Sequence, residues 1–207
     1  YGAGVFFVNN DSILKHVTSE NGLADDYTYD AVQHNSFVWI ATDGGIAKLS
    51  LQGDAIDLLK TKDGLPDNIV HKILELDDHT LAIGMYDYGV AYFNSNNNKF
   101  TLATENQAWE KGKVSSLISQ EDGELWIGTD LNGIVCLSFK KDRLHQKALT
   151  QMNGLVSNRI NCFHQDAENN VWIGTNKGAS LFTGGDFEFI GSPEGLVNKN
   201  VFDVIED

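Results

Sequence analysis

The segment Met85-Tyr86-Asp87-Tyr88-Gly89 sets two aromatic rings on either side of a carboxylate. Its counterparts along the chain, Thr42-Asp43-Gly44, Thr129-Asp130-Leu131-Asn132-Gly133 and Thr175-Asn176-Lys177-Gly178, contain no aromatic residue. A flat, amphipathic ring beside an acid suits stacking on a sugar ring and bonding its hydroxyls. Tyr86, Asp87 and Tyr88 are therefore candidate ligand-binding residues, together with Asp130, Asn132, Asn176 and Lys177 from the sister segments. A second group, Asp67, Asn68, Ser157, Asn158, Arg159, Asn198 and Lys199, precedes short apolar runs, and Arg159 joins the candidates from it. The competing reading makes these ordinary turn residues, with Tyr86 filling space left by the small Ala82.

Catalytic chemistry finds little support. Six histidines (His16, His34, His71, His79, His145, His164) are scattered, with no HExxH and no His-x-His pair. They read as structural, although His71 and His164 lie in apolar runs where they could face a channel or a packing layer. No Gly-x-Ser-x-Gly elbow or phosphate loop is present. The acidic pairs Asp25-Asp26, Asp77-Asp78 and Glu121-Asp122 sit where turns are expected, so a solvated role fits them. Cys136 and Cys162 fall inside the apolar runs IVCL and INCF and read as small buried hydrophobes, with a disulfide left open. No catalytic residue, metal site or cofactor is assigned.

Composition narrows the partners. The chain has 207 residues, 29 acidic and 15 basic, for a formal charge of −14. That excess disfavours nucleic acid and anionic membrane surfaces, which need clustered Lys and Arg. At 42% hydrophobic and 10% aromatic, the chain can build a core. No apolar run reaches the ~18 residues of a membrane helix. No signal peptide or anchor is visible at Tyr1.

A repeat must position the candidate residues. VWIATDGGIAKLS (38–50), LAIGMYDYGVAYFN (81–94), LWIGTDLNGIVCLS (125–138) and VWIGTNKGASLFT (171–183) align, anchored on Trp39, Ala82, Trp126 and Trp172 at spacings of 43, 44 and 46 residues. Gly-Leu pairs at 22–23, 64–65, 154–155 and 195–196 form a second anchor; the third unit has Ala108-Trp109 instead, and Trp109 reads as core. Each anchor leads into a short apolar run, VFDVI (201–205) being the last. The runs are rich in Val, Ile, Leu, Phe and Trp and are bounded by Gly, Asn and Asp, which predicts strands. Four strands per ~44 residues is the arithmetic of a propeller blade. The fold class is all-β, a β-propeller of ~43–46-residue four-stranded blades. Stacked sheets would bury Trp and Leu between them. Ala41, Gly84, Gly128 and Gly174 predict close approach of another backbone or an aromatic ring. Gly45, Gly89, Gly133 and Gly178 predict a positive φ at the next turn. In a propeller, the loops entering the innermost strand and those joining the second and third strands share one face, which gathers the candidates above.

Gly64-Leu65-Pro66-Asp67-Asn68, Asp122-Gly123-Glu124-Leu125-Trp126-Ile127-Gly128-Thr129 and Val171-Trp172-Ile173-Gly174-Thr175 resemble the two-component regulator propeller repeat. The resemblance runs the whole chain and departs at Ala82, where the repeat has Trp, and at Trp109, where it has Leu. It implies part of a periplasmic, seven-bladed sensor propeller in a hybrid two-component system. In such a system an oligosaccharide is the ligand, the region has no chemistry of its own, and the receptor is a homodimer. The membrane helix and histidine kinase lie elsewhere, so this region would touch neither membrane nor nucleic acid. A scaffold or protein-interaction propeller is the alternative, and a polysaccharide-processing enzyme a further one. Ser119 to Trp126 also resembles the sialidase Asp-box but departs at Glu121 and Leu125. Two arginines, Arg143 and Arg159, cannot form that family's arginine triad.

The phase of the repeat bears on the ends. Gly4–Val8 aligns with Gly45–Leu49, so Tyr1 corresponds to Thr42, and Asp207 corresponds to Asp166. The expectation is about four full blades plus partial blades at both ends of a larger array. The units run about 1–21 (partial), 22–63, 64–107, 108–153, 154–194 and 195–207 (partial).

Overall fold

The computed structural model describes residues 2–103, 112–140 and 143–206. They form two compact units, one up to residue 103 and one from residue 112. The Ala108-Trp109 anchor lies outside the described residues.

The first unit opens with an antiparallel pair, β1 (Val5–Asn9) and β2 (Ser12–Val17). Two four-stranded antiparallel meanders follow. One holds β3 (Thr28–His34), β4 (Phe37–Thr42), β5 (Gly45–Ser50) and β6 (Ala55–Leu59). The other holds β7 (Val70–Asp77), β8 (Thr80–Met85), β9 (Val90–Asn94) and β10 (Lys99–Leu102). The second unit has two more: β11 (Val114–Ser119), β12 (Leu125–Thr129), β13 (Ile134–Lys140) and β14 (Arg143–Leu149), then β15 (Ile160–Gln165), β16 (Val171–Thr175), β17 (Gly178–Phe182) and β18 (Phe187–Ile190). These are the four-stranded sheets of propeller blades. VFDVI makes no ladder: residue 201 only donates its N–H to Thr175 O (2.9 Å) and accepts from Asn161 Nδ2 (2.7 Å). Isolated hydrogen bonds to a neighbouring sheet do not make a strand, which needs a paired partner.

Burial explains the sequence of each strand. All five residues of β12 are buried, because a second strand is covered on both faces and carries no polar alternation. The outer strand β14 is exposed from Arg143 to Ala148 and is correspondingly polar.

The same seam is built in both units. Trp39 meets Phe93 at 5.2 Å between ring centroids, and Phe93 meets its cross-strand partner Phe100 at 4.8 Å. In the second unit Trp126 meets Phe182 at 5.0 Å, and Phe182 meets its partner Phe187 at 5.1 Å. Each Trp projects from the second strand of one sheet onto the third strand of the next. Beside the second seam sits Gly128, where an added Cβ would lie 2.7 Å from Ile160 Cγ2 and 3.1 Å from Phe163. The small residue therefore admits side chains of the next sheet, mainly an aliphatic one.

Hydrogen bonds stitch the seams. Asp30 Oδ2 accepts from Ile73 N–H (3.1 Å), and Ser116 Oγ accepts from Phe163 N–H (3.1 Å). Asp30 and Ser116 hold the same place in their first strands.

The Gly-Leu anchors close the connections between sheets. Leu23, Leu65 and Leu155 are buried. Ahead of three of the glycines lies a single 3-10 turn, at Thr61–Asp63, Gln151–Asn153 and Ser192–Glu194. Gly64, Gly154 and Gly195 end these turns at φ 94°, 105° and 104°, which glycine tolerates best. The residue before each glycine reaches back to cap the turn: Asp63, Asn153 and Glu194 accept from the backbone N–H of Lys60, Thr150 and Gly191. Gly45, Gly89, Gly133 and Gly178 take positive φ as expected.

Gly128→Ala should lower the unfolding free energy by about 1–3 kcal/mol, because the new methyl meets the stiff, β-branched Ile160. Gly185→Ala, with nothing within 4 Å of the new Cβ, should be near neutral. Urea denaturation of the two variants measures both.

Candidate functional site

Each sheet has a loop end, where the chain enters the first strand and where the second and third strands join. It also has a turn end, where the first and second strands join. The candidate residues all lie at loop ends. There each first strand carries a β-bulge, at Tyr29, His71, Ser115 and Asn161, between the paired residues on either side. A bulge re-aims its side chain. His71 stacks 4.1 Å from Tyr29 and 5.8 Å from Tyr86, ring centroid to centroid, giving a column of three rings from β3, β7 and the β8–β9 loop.

The β8–β9 loop is fixed by its backbone. Tyr86 N–H donates to Ile69 O (3.0 Å) and Asp87 N–H donates to Asp67 Oδ2 (3.2 Å). Asp67 Oδ1 also accepts from Ile69 N–H (3.1 Å), so this carboxylate shapes the loop. Held this way, Tyr86 stays 45% and Tyr88 51% exposed, while His71 is buried. Ala82 is fully buried opposite Tyr92 on β9, whose phenol burial pushes above the ordinary tyrosine range. Tyr86 and Tyr88 thus present surface to solvent.

In the second unit the candidates gather around β12–β13, the entry to β15, and β16–β17. Gly133 N–H donates to Asn158 O (2.9 Å), and Ser157 Oγ donates to Asn176 Oδ1 (2.7 Å). Arg159 and Lys177 are exposed at these loops, held by backbone bonds to Ser157 and Thr175. Asn132 is partly buried, its N–H donating to Thr129 Oγ1 (2.8 Å). Asp130 turns one carboxylate oxygen inward, where it is buried without a hydrogen-bond partner.

The remaining loop-entry residues do structural work. Asn68 and Asn158 each accept from the first N–H of the preceding 3-10 turn, at Thr61 (2.9 Å) and Gln151 (2.8 Å). Asn198 accepts from Asn200 N–H (2.9 Å). Lys199 is exposed.

The clefts open elsewhere. Three lie at the turn ends of the second unit, with volumes of about 370, 330 and 250 Å³. Several of their polar groups bond one another, while His164 Nε2 and Gln120 Nε2 are buried without a hydrogen-bond partner. Glu124 takes the Trp126 indole N–H (2.7 Å) and Lys147 (3.0 Å), and Asn169 donates to Glu121 (2.9 Å). Asp166 takes the Trp172 indole N–H (2.9 Å) and both the backbone and side-chain N–H of Asn170. Burial acts to raise the Asp166 carboxyl, and the hydrogen bonds from Trp172, Asn170 and Glu168 overcome it and hold it below the usual range. Among the described residues no cluster of His, Cys, Asp or Glu could hold a metal ion.

Comparison with known proteins follows the same geometry. Residues 154–177 match the model of the two component regulator propeller, spanning the Gly-Leu anchor, the bulged strand β15 and the Trp172 strand β16. Those residues carry one copy of the two component regulator propeller signature. The chain is 27% identical over 165 residues to histidine kinase P4 of Formosa agariphila, covering 73% of this chain and 12% of that kinase. Its structure is similar to the extracellular domain assigned to the hybrid two component system BT3049 of B. thetaiotaomicron, with TM-score 0.71, 20% identity, and coverage of 89% of this chain and 25% of that one. It is also similar to virginiamycin B lyase of Staphylococcus aureus, with TM-score 0.61, 13% identity, and coverage of 82% and 57%. At such identities the structural likeness establishes the propeller fold. The chain thus spans about an eighth of the curated kinase and a quarter of the BT3049 extracellular domain that it matches.

No disulfide joins Cys136 and Cys162, and both are buried. Burial, with the nearby Glu124 carboxylate adding to it, pushes the Cys136 thiol up to about 12. Only the thiolate alkylates. At pH 8 Cys136 should therefore stay unlabelled by iodoacetamide in the native protein and label fully in urea, as peptide mass spectrometry would show.

Proposed function

We propose that this chain is part of the extracytoplasmic, periplasmic ligand-sensing propeller of a hybrid two-component sensor, and that its ligand is an oligosaccharide. The observation that carries the reading is the ring column Tyr29–His71–Tyr86, with the half-exposed Tyr88 in the same loop as Tyr86. Sugar rings present flat C–H faces to aromatic rings and hydroxyls to acids and amides, and this loop offers both. Rings held by a bulged strand and a backbone-bonded loop are already ordered, so binding does not have to order them.

The region itself performs no chemistry in this reading. Ligand binding shifts the populations of two receptor conformations, and a homodimer passes the change to a kinase outside this chain. Neither membrane nor nucleic acid is a direct partner. The kinase relative and the repeat match support the receptor setting, and the aromatic column supports the ligand class.

Tyr86→Ala combined with Tyr88→Ala should weaken saccharide binding about tenfold, since covering the exposed apolar faces of two rings is worth on the order of 1–2 kcal/mol at about 25 cal/mol per Å². The thermal midpoint should fall only slightly, because both side chains are about half exposed and the loss is the Tyr86–His71 ring contact. Calorimetry with neutral xylo-, manno- and malto-oligosaccharides measures the first effect, and a scan without ligand the second. Saccharide affinity unchanged by the double substitution would contradict the reading.

A further inference from the structure

The two units differ sharply in the charge of their loop ends. In the first unit the segments 24–27, 43–44, 66–69 and 86–88 hold Asp25, Asp26, Asp43, Asp67 and Asp87, with no Lys or Arg. In the second unit the described segments 112–113, 130–133, 156–159, 176–177 and 197–200 hold Lys113, Arg159, Lys177 and Lys199 against the single acid Asp130, which turns an oxygen inward; Arg159 and Lys177 stand on segments tied together by hydrogen bonds. For a chain with 29 acids and 15 bases this local excess of cations is a reversal.

Three features make Arg159 and Lys177 available. Both side chains are exposed, and neither takes part in an ion pair among the described residues. The segments that carry them are tied together by the Gly133–Asn158 and Ser157–Asn176 hydrogen bonds, so the charges are presented from one set of loops. Ser157 occupies Asn176 Oδ1, which leaves the Asn176 amide N–H2 as a further donor. A guanidinium, an ammonium and an amide donor are the groups that recognise a carboxylate or sulfate, the guanidinium in bidentate fashion.

We infer that the loop end of the second unit is an anion-binding subsite for the carboxylate or sulfate of an acidic saccharide, with Arg159, Lys177 and Asn176 as its donors. The saccharide part of this inference rests on the reading of the loops as a sugar-binding face; the anion part rests on the cations alone.

Amide-resolved NMR titration of the whole chain tests it with three probes: inorganic sulfate replacing chloride at constant ionic strength, trigalacturonate, and neutral xylotriose. Sulfate and trigalacturonate should both shift the amides of 131–133, 157–159 and 176–178. Arg159→Gln combined with Lys177→Gln should abolish the sulfate shifts and raise the trigalacturonate Kd at least tenfold, leaving the xylotriose response unchanged. Unchanged far-ultraviolet circular dichroism confirms that the variant folds. Saccharide binding with no response at these amides, or with equal affinity in the double variant, would overturn the anion subsite and leave the sugar-binding reading standing. Sulfate shifts at these amides with neither saccharide bound would overturn the sugar-binding reading and retain the anion subsite.

Discussion

A four-stranded sheet whose second strand reads Leu-Trp-Ile-Gly-Thr cannot exist alone in water. All five residues of that strand are buried, so the strand must be covered rather than left to water. The seam between sheets is thus the interaction on which the rest depends. Trp126 lands on Phe182 while Gly128 opens space for Ile160 and Phe163. Trp39 and Phe93 repeat the first half of that fit in the other unit. The Gly-Leu anchor serves the same end, since its leucine fills the core while its glycine turns the chain towards the next first strand.

Stacking in this way divides each sheet into two unlike ends. At the turn ends two acids are committed: Glu124 receives the indole N–H of the seam Trp126, and Asp166 that of Trp172 on the last sheet. Trp39 has no such acid, and its indole N–H is buried without a partner. At the loop ends the backbone is braced by Asp67, Asn68, Ser157 and Asn158, and the tips beyond them remain uncommitted. Function can vary there without touching the seam, which is the usual division between scaffold and loop. Tyr86 and Tyr88 on one unit, and Arg159 and Lys177 on the other, are such tips.

Much of the fold was legible in the sequence because the repeat states each instruction several times. The strands, the positive φ of Gly45, Gly89, Gly133 and Gly178, and the buried Cys136 and Cys162 all follow from local pattern. The 3-10 turns were not anticipated, although the Asp, Asn or Glu before each Gly-Leu marks them, because their caps bond back to a residue three positions earlier. The small residue in Trp-Ile-Gly-Thr was expected to admit a backbone or a ring, and the nearest neighbour of Gly128 is Ile160. Tyr29 was missed altogether, and His71 was read as structural with a channel-facing place left open. A bulge depends on register, which one strand read alone does not reveal. The recurrence of a ring at the second position of neighbouring first strands was the available signal. The turn-end clefts were also invisible, since residues far apart in the chain, such as Trp126, Gln165 and Phe182, line them.

The central claim is that ligand meets the loop ends rather than the turn-end clefts. Hydrogen-exchange mass spectrometry of the whole chain, with and without a saturating oligosaccharide digest of plant or algal polysaccharide, tests this directly. The account predicts protection in the loop-end segments 66–71 and 86–90, or 130–133 and 156–160, with the turns at 120–124 and 166–170 unchanged. Protection centred on 120–124 and 166–170, with the loop ends unchanged, would contradict it.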